Sequence, residues 1–184
     1  DHGRGPLWNS TPELAMSEKG LPEQLPGFDD PIGLLRACHK KMLAHCELLE
    51  GLLTDPDPAA AQQVLRYFST NAVTHHQDEE EDLFPRLNRQ SMKLADLVNR
   101  LKKDHVELDR LWTRIAPGLR QLSQAPGDPA FSEAVQVFCA LSRDHIAREN
   151  TDFLPLASSS LSSAALGEIG EAMAARRGVR YSAL

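Results

Sequence analysis

Two segments of the sequence carry a histidine with a glutamate four residues later, and both segments continue in the same order. His75 is followed by Glu79, and His145 is followed by Glu149. In each segment an aspartate stands seven positions after the histidine and a proline ten positions after it. On a helix, residues four apart lie one turn apart on the same face, so both side chains can reach one metal centre. Imidazole suits iron, zinc and copper, whereas carboxylate oxygens bridge hard or borderline ions.

Two further histidines occupy matching places in two other amphipathic segments. His39 and His105 each have a leucine four residues before and an apolar residue three residues after. A pair of helical segments is thus used twice, offset by 66 residues at the first histidine and 70 at the second. Because a buried ionised carboxylate is costly unless it is paired or metal-bound, this pattern predicts a dinuclear metal site. The predicted ligands are His39, His75, Glu79, His105, His145 and Glu149.

The elements that must position these ligands are four long segments joined by short connections. In each segment apolar residues recur at alternating steps of three and four, which indicates a helix with one inner face. Breaks rich in proline and aspartate or glycine fall at residues 54–58 and 125–129. The pattern predicts an all-α, antiparallel up-down-up-down four-helix bundle. We expect Pro117 to kink or end the third helix and Pro155 to stop the fourth.

The bundle is predicted to be flanked by two shorter segments. Residues 1–29 are rich in proline and glycine, which predicts an extended N-terminal arm that wraps the bundle or is partly disordered. The bundle itself is predicted over residues 30–157. Residues 158–184 are expected to form a serine-rich loop, a short fifth helix and a tail, with Gly178 as the C-cap of that helix.

Composition excludes several classes of function. The net charge of −6 without a basic stripe argues against a nucleic-acid partner. No apolar run approaches the roughly 20 residues that a membrane helix needs, so no membrane partner is expected. Cys38, Cys46 and Cys139 are too few and too scattered for a disulfide framework, which indicates reduced, buried thiols in a cytoplasmic protein.

Several other titratable residues near the predicted ligands receive separate interpretations. We expect His76 and Glu80, a second pair four apart, to face solvent or to contact the ligands from outside. His45 lies off the inner face of its helix and is predicted at the surface. The run Asp78–Asp82, apart from its ligand, is interpreted as a solvated face near the mouth of the site. Asp109, four residues after the third histidine, is a candidate additional ligand.

The run HHQDEEEDLFP from His75 and the run HIARENTDFLP from His145 resemble the hemerythrin-like, His-His-Glu cation-binding domain of the bacterial single-domain type. The resemblance extends over about residues 30–157. It implies a non-haem centre of two Fe ions with an oxo or hydroxo bridge, although other divalent metals remain possible. It also implies the ligand assignment: one iron takes His39 and His75, the other takes His105 and His145, and Glu79 and Glu149 bridge them.

The resemblance has one departure that bears on function. Oxygen-carrying animal members place two histidines one turn apart on the third helix, whereas here the third histidine is preceded by Leu101 and followed by Asp109. Water, Asp109 or an exogenous ligand would therefore complete the coordination, and simple oxygen carriage does not follow. The family includes oxygen carriers, sensors of oxygen, nitric oxide or iron, and proteins of iron–sulfur repair.

Four hypotheses for function remain open from the sequence. The first is a di-iron protein that binds O2, NO or another small oxidant as a sensor, store or scavenger. The second is a di-iron enzyme of nitrosative or oxidative stress defence; a ferritin-like oxidase is disfavoured because such sites use Glu-x-x-His pairs. The third is an iron-responsive interaction module whose protein partner the sequence does not name. The last is a purely structural bundle, which would be stable without metal.

Overall fold

The computed structural model describes residues 26–122 and 128–183, and these residues form helices, helical turns and connections with no strand among them. In chain order the elements are α1 (Pro31–Gly51), α2 (Pro58–Ser69), α3 (Asn71–Gln77), the π-helical turn π1 (Asp78–Leu83), α4 (Phe84–Leu87), α5 (Met92–Arg120), α6 (Pro129–Arg148), the π-helical turn π2 (Glu149–Phe153), α7 (Leu154–Ser160) and α8 (Ser163–Arg176).

Most of the long helices begin with a side-chain N-cap. At five helix starts an aspartate or serine side chain accepts a backbone N–H of the first turn, which satisfies a group that has no partner within the helix. Three of these helices also have proline at the first helical position, where its missing N–H costs nothing. The caps are Asp30, Asp57, Ser91, Asp128 and Ser162.

The long helices pack into a helical bundle. Helix α1 lies against α2 and α6, and α5 also lies against α2 and α6, so the four enclose a common interior. Two apolar clusters fill this interior, one including Leu49, Phe68, Ile115 and Phe138, the other including residues such as Leu101. Within the described residues, no helix combines the length and apolar character needed to cross a membrane.

The π-helical turns change which residues face inward. The helical period predicts Asp82 and Asp152 on the inner faces, but Asp152 is exposed and Asp82 is only half-buried. Instead Leu83 and Phe153, one position later, are fully buried. A π-helix bonds each residue to one five positions away, so each turn accommodates an additional residue and shifts the inward register by one.

The helix end predicted near Pro155 is wrong by several residues. The fourth segment does not stop near Pro155, because α7 continues to Ser160 and includes the serines expected in a loop. Pro155 lies in the first turn of α7, directly after π2, where a missing N–H is tolerated. Of the two effects expected of Pro117, a kink or an end of the helix, the end does not occur there, because α5 runs three residues past Pro117 to Arg120.

The C-terminal helix predicted after the bundle is present. In α8, Ile169 and Met173 are fully buried against the second apolar cluster, while Leu166 is half-buried beside it. Gly178 has a φ of 70° and follows the helix end, which is the left-handed conformation expected of a glycine C-cap. Residues 1–25 of the predicted arm and residues 123–127 of the predicted break lie outside the described residues.

Candidate metal centre

The bundle interior contains a polar layer between its two apolar clusters, and all six predicted ligands lie in it. Glu149 is fully buried and sits between two histidines. Its Oε2 atom is 2.7 Å from His39 Nε2, and its Oε1 atom is 2.8 Å from His145 Nε2. Because these histidines come from α1 and α6, one carboxylate joins two helices.

Glu79 makes the corresponding arrangement on the other side of the layer. Its Oε1 atom is 3.3 Å from His75 Nε2 and 3.4 Å from His105 Nε2, and the carboxylate is also fully buried. These histidines come from α3 and α5. The layer therefore draws one imidazole from each of four helical segments and one carboxylate from each π-helical turn.

The six residues form two overlapping groups of four. One contains His39 and His75, the other contains His105 and His145, and both contain Glu79 and Glu149. Within each group one donor atom per residue lies within 4.8 Å of all the others. Two groups that share two carboxylates have the composition of a dinuclear site with bridging carboxylates.

The donor atoms of this layer lack ordinary hydrogen-bond partners. All four oxygens of Glu79 and Glu149 are buried without a hydrogen bond, as are the Nε2 atoms of His39, His105 and His145. Buried polar atoms are nearly always satisfied, so a cluster of seven that are not needs a specific explanation. Donor atoms bound to one metal at about 2.1 Å lie about 3 Å apart, which matches these N···O separations. The residues therefore fit a metal centre.

The outward nitrogens of three of the histidines are held by a second set of side chains. His39 Nδ1 lies 2.6 Å from Asn150 Oδ1, which leaves Nε2 directed into the layer. His145 Nδ1 lies 2.9 Å from Asp104 Oδ2. Metal-bound histidines commonly donate their second N–H to such an acceptor, which fixes ring orientation and raises ligand basicity.

The third of these contacts uses a residue of the acidic run. Glu80 accepts from His105 Nδ1 at 2.9 Å, in keeping with the alternative that it contacts a ligand from outside. Asp104 and Asn150 were not predicted. Each stands beside a ligand in the sequence, before His105 and after Glu149, but polar residues at such places are common on solvent-facing helix positions. The sequence therefore holds no signal that separates them from surface residues.

Electrostatic interactions within the site favour protonated histidines when no cation is bound. Burial alone would lower the pKa of His105, but the neighbouring carboxylates of Glu79 and Glu80 outweigh it and raise that pKa to about 10. Burial opposes protonation of His75 as well, yet Glu79 and the Cys38 thiol raise its pKa well above the usual value. Metal binding must displace these protons, so affinity depends on pH.

The two bridging candidates are carried by the π-helical turns. Glu149 begins π2 and Glu79 is the second residue of π1. Burial alone would raise the pKa of Glu149, but its contacts with neighbouring side chains lower it well below the usual value, so the group is ionised. π-helical turns within α-helices occur frequently at functional sites. Here they bring each carboxylate to the level of the histidines.

The acidic run is only in part the solvated face that the sequence predicted: Glu80 and Glu81 are exposed, whereas Asp78 and Asp82 are not. Asp78 is fully buried and accepts from Arg177 Nη2 at 2.6 Å and from Arg176 Nη1. Asp82 also binds Arg176, at 2.9 Å. The run therefore attaches the end of α8 to the π1 turn that carries Glu79. The paired charges explain how a carboxylate is buried there without a metal.

His45, predicted at the surface, is buried. Its ring stacks on Tyr67 with centroids 3.8 Å apart, and its Nδ1 lies 2.7 Å from the backbone oxygen of Lys41. Burial is the main cause that lowers its pKa. The prediction was wrong because a helix in a bundle contacts two neighbouring helices. The buried part of its surface is therefore wider than the face that points to the centre of the bundle.

His76 and Asp109 lie beside the polar layer without joining it. The ring of His76 stacks on His105 with centroids 3.9 Å apart, and it is half-buried rather than solvent-facing. Asp109 is exposed and belongs to neither group of four. Burial, followed by Glu80, raises its pKa although His105 acts in the opposite direction.

Comparison with known proteins agrees with this geometry. The family model of the hemerythrin HHE cation binding domain matches residues 30–157. An uncharacterised protein of Haemophilus influenzae is 30% identical over 167 residues, which cover 86% of this chain and 96% of that protein. The chain therefore belongs to the hemerythrin HHE cation-binding domain family.

Proposed function

We propose that residues 30–157 form an antiparallel up-down-up-down four-helix bundle that holds two non-haem iron ions. The topology is supported by the order in which the helices meet the two apolar clusters. Along α1, Leu35 joins one cluster and Cys46 the other; along α6 and π2 the order is reversed, from Phe138 to Phe153. The histidines lie between these contributions in every case. Residues 158–184 would then be a C-terminal addition that covers one end.

The observation that carries the metal proposal is the pair of fully buried carboxylates without hydrogen-bond donors. The proposed ligands are His39 and His75 for one ion, His105 and His145 for the other, with Glu79 and Glu149 shared between them. Ferrous iron in such a site would supply an electron-rich position that a diatomic ligand can occupy. Ligand types alone leave manganese and zinc as alternatives.

We propose that the ligand of this centre is O2, NO or another small oxidant, and that the protein acts as a sensor, store or scavenger. Support comes from a cavity of about 60 Å³ beside His145. Its walls are mainly apolar and include Phe68, Trp112 and Ile146, so a small apolar molecule would be preferred over water. The exposed Val73 also lines it, which connects the cavity with the surface.

Four of the residues that line the same cavity carry polar side chains: His76, Asp109, Ser142 and His145. Of these, His76 lies against His105. Burial and the neighbouring imidazoles lower the pKa of His76 well below its usual value, so the ring is neutral and has both a donor and an acceptor nitrogen. We propose that His76 hydrogen-bonds a ligand held in the cavity and thereby orients it.

The test is to fill the cavity and leave the ligands intact. Ala72 is buried in its wall, and Ala72→Phe would occupy the space. We expect this variant to bind iron at the wild-type ratio but to react severalfold more slowly with O2 and NO after anaerobic reduction, followed by stopped-flow absorption. Val106→Phe, at an exposed position on α5, is the control. Equal rates at equal iron content would contradict the cavity's role.

A second candidate, iron-responsive interaction, is favoured by the attachment of α8 to the centre. Arg176 and Arg177 bind Asp78, the residue before Glu79. Loss of metal would leave Glu79 without a cation and alter the turn to which α8 is attached. Hydrogen exchange of α8 with and without iron tests this alternative, because a pure gas binder predicts equal protection in both states.

A further inference from the structure

A larger cavity, lined by several cationic side chains, lies between α1, α2, α3 and the end of α8. Its volume is about 610 Å³, and it shares no lining residue with the small apolar cavity beside His145. Four cationic side chains line it: Lys41, Arg66, Arg176 and Arg177. These four cations meet at one place in a chain whose net charge is −6.

Two of these cations are held in fixed positions. Arg177 donates from Nη1 to the backbone oxygen of Met173 at 2.9 Å and to Asp78 Oδ1 at 3.0 Å. Arg176 binds Asp78, Glu81 at 2.8 Å and Asp82 at 2.9 Å. These three carboxylates offset the formal charge of the two arginines, but they also preorganise both guanidinium groups at the cavity wall, so a ligand loses less entropy on ordering them.

The other two cations reach the cavity from different helices. Lys41 comes from α1 and is buried, whereas Arg66 comes from the last turn of α2 and is exposed. Thr74 and Asn71 add polar groups to the same wall.

We propose that this cavity binds a small molecule that carries a phosphate group. The volume is within the range of about 300–1,000 Å³ typical of small-ligand sites. Guanidinium groups match phosphate oxygens in paired hydrogen bonds, and a lysine adds a compact charge. A phosphate offers more charge and more acceptor oxygens than a single carboxylate, which suits four cations that converge from three helical segments.

The experiment uses the full chain and two probes, inorganic phosphate and pyrophosphate, in isothermal titration calorimetry against a chloride background. We expect pyrophosphate to bind more tightly than phosphate. Arg66→Gln removes a cation at an exposed position and should weaken pyrophosphate binding about tenfold or more. Lys41→Met tests the buried cation where the variant remains folded by circular dichroism. Arg100→Gln, exposed on α5 and outside the cavity lining, is the matched control.

Metal-free and iron-loaded protein are titrated in parallel, because phosphate also binds iron. Binding that persists without iron, weakens in Arg66→Gln and is unchanged in Arg100→Gln supports the cavity site, whether or not the iron centre reacts with gases. No binding of either probe overturns the proposal. Binding that requires iron and ignores Arg66→Gln also overturns it, because the anion is then on the metal.

Discussion

Asp104 provides a sensitive test of the metal centre because it contacts a proposed ligand without belonging to the set. Its Oδ2 atom accepts from His145 Nδ1 at 2.9 Å and lies 3.3 Å from Arg148 Nη1. Asp104→Asn keeps the shape of the side chain but removes the charge that strengthens the imidazole as a ligand. Loss of such an outer partner typically costs 10- to 100-fold in metal affinity, or about 1.4 to 2.8 kcal/mol.

The effect is measured as a difference between metal-bound and metal-free protein. In a chain of this length 1 kcal/mol corresponds to about 2–4 °C in melting temperature, so the metal-induced rise should be about 3–11 °C smaller in Asp104→Asn. Competition with a chelator gives the affinity directly. Asp96→Asn, an exposed change on the same helix α5, should match the wild type in both assays.

The result that would refute this reasoning is specific. If Asp104→Asn lost as much melting temperature without metal as with it, the contact would support the fold alone. If its metal affinity stayed within twofold of Asp96→Asn, the hydrogen bond to His145 would not influence a bound metal at all.

Four further outcomes are expected. Glu79→Gln should lower bound iron below two per chain by elemental analysis, since both groups of four share that carboxylate; an unchanged ratio would exclude it as a bridge. Asp109→Asn should leave the iron content unchanged, because that side chain is exposed and outside both groups. The folded-state pKa of His105, about 10, exceeds its usual 6.5, so its proton stabilises the metal-free protein at low pH and that contribution is lost as pH rises toward 10. Because metal displaces this proton, the metal-induced gain in melting temperature should grow from about pH 6 to about pH 9. A gain that shrinks over this range would contradict the reasoning. Phe84→Ala should cost about 3–5 kcal/mol in urea denaturation, because the ring is fully buried, whereas Met92→Ala at an exposed position should stay within about 0.5 kcal/mol.

The sequence predicts well which helix faces carry the ligands, because regular helical spacing determines those faces. A histidine and a glutamate four apart must share a helix face, and apolar neighbours such as Leu35 and Leu101 place that face inward. The structure accordingly brings all six predicted residues into one buried layer. The family resemblance, drawn from the runs at His75 and His145, agrees with the matched family model over residues 30–157.

The sequence fails where helix geometry departs from its regular period. Nothing in the residues themselves indicates a π-helical turn, so Asp152 was expected inward and Phe153 was not. The departure matters for function, because the same turn carries Glu149. A sequence pattern based on 3.6 residues per turn assumes the same number of residues in every turn, so it cannot predict a turn that contains one more.

The sequence also fails for contacts between elements that are distant along the chain. In the sequence Asp78 resembles a surface acid, but in the structure Arg177, 99 residues later, binds it. In the sequence His45 resembles a surface histidine, but in the structure Tyr67 of α2 stacks on its ring. Such pairings depend on which helices become neighbours, which the inner stripes alone do not determine.

Metal content measured against ligand variants tests the proposed dinuclear centre most directly. Tag-free protein is titrated anaerobically with ferrous iron, and bound metal per chain is determined by elemental analysis for the wild type, for Glu149→Gln and for Asp96→Asn. We expect two ions per chain in the wild type and in Asp96→Asn, fewer than two in Glu149→Gln, and near-ultraviolet absorption that appears on oxidation and bleaches on reduction. A wild-type chain that binds no iron, shows no such absorption and melts at the same temperature with and without ferrous iron would contradict the proposed centre.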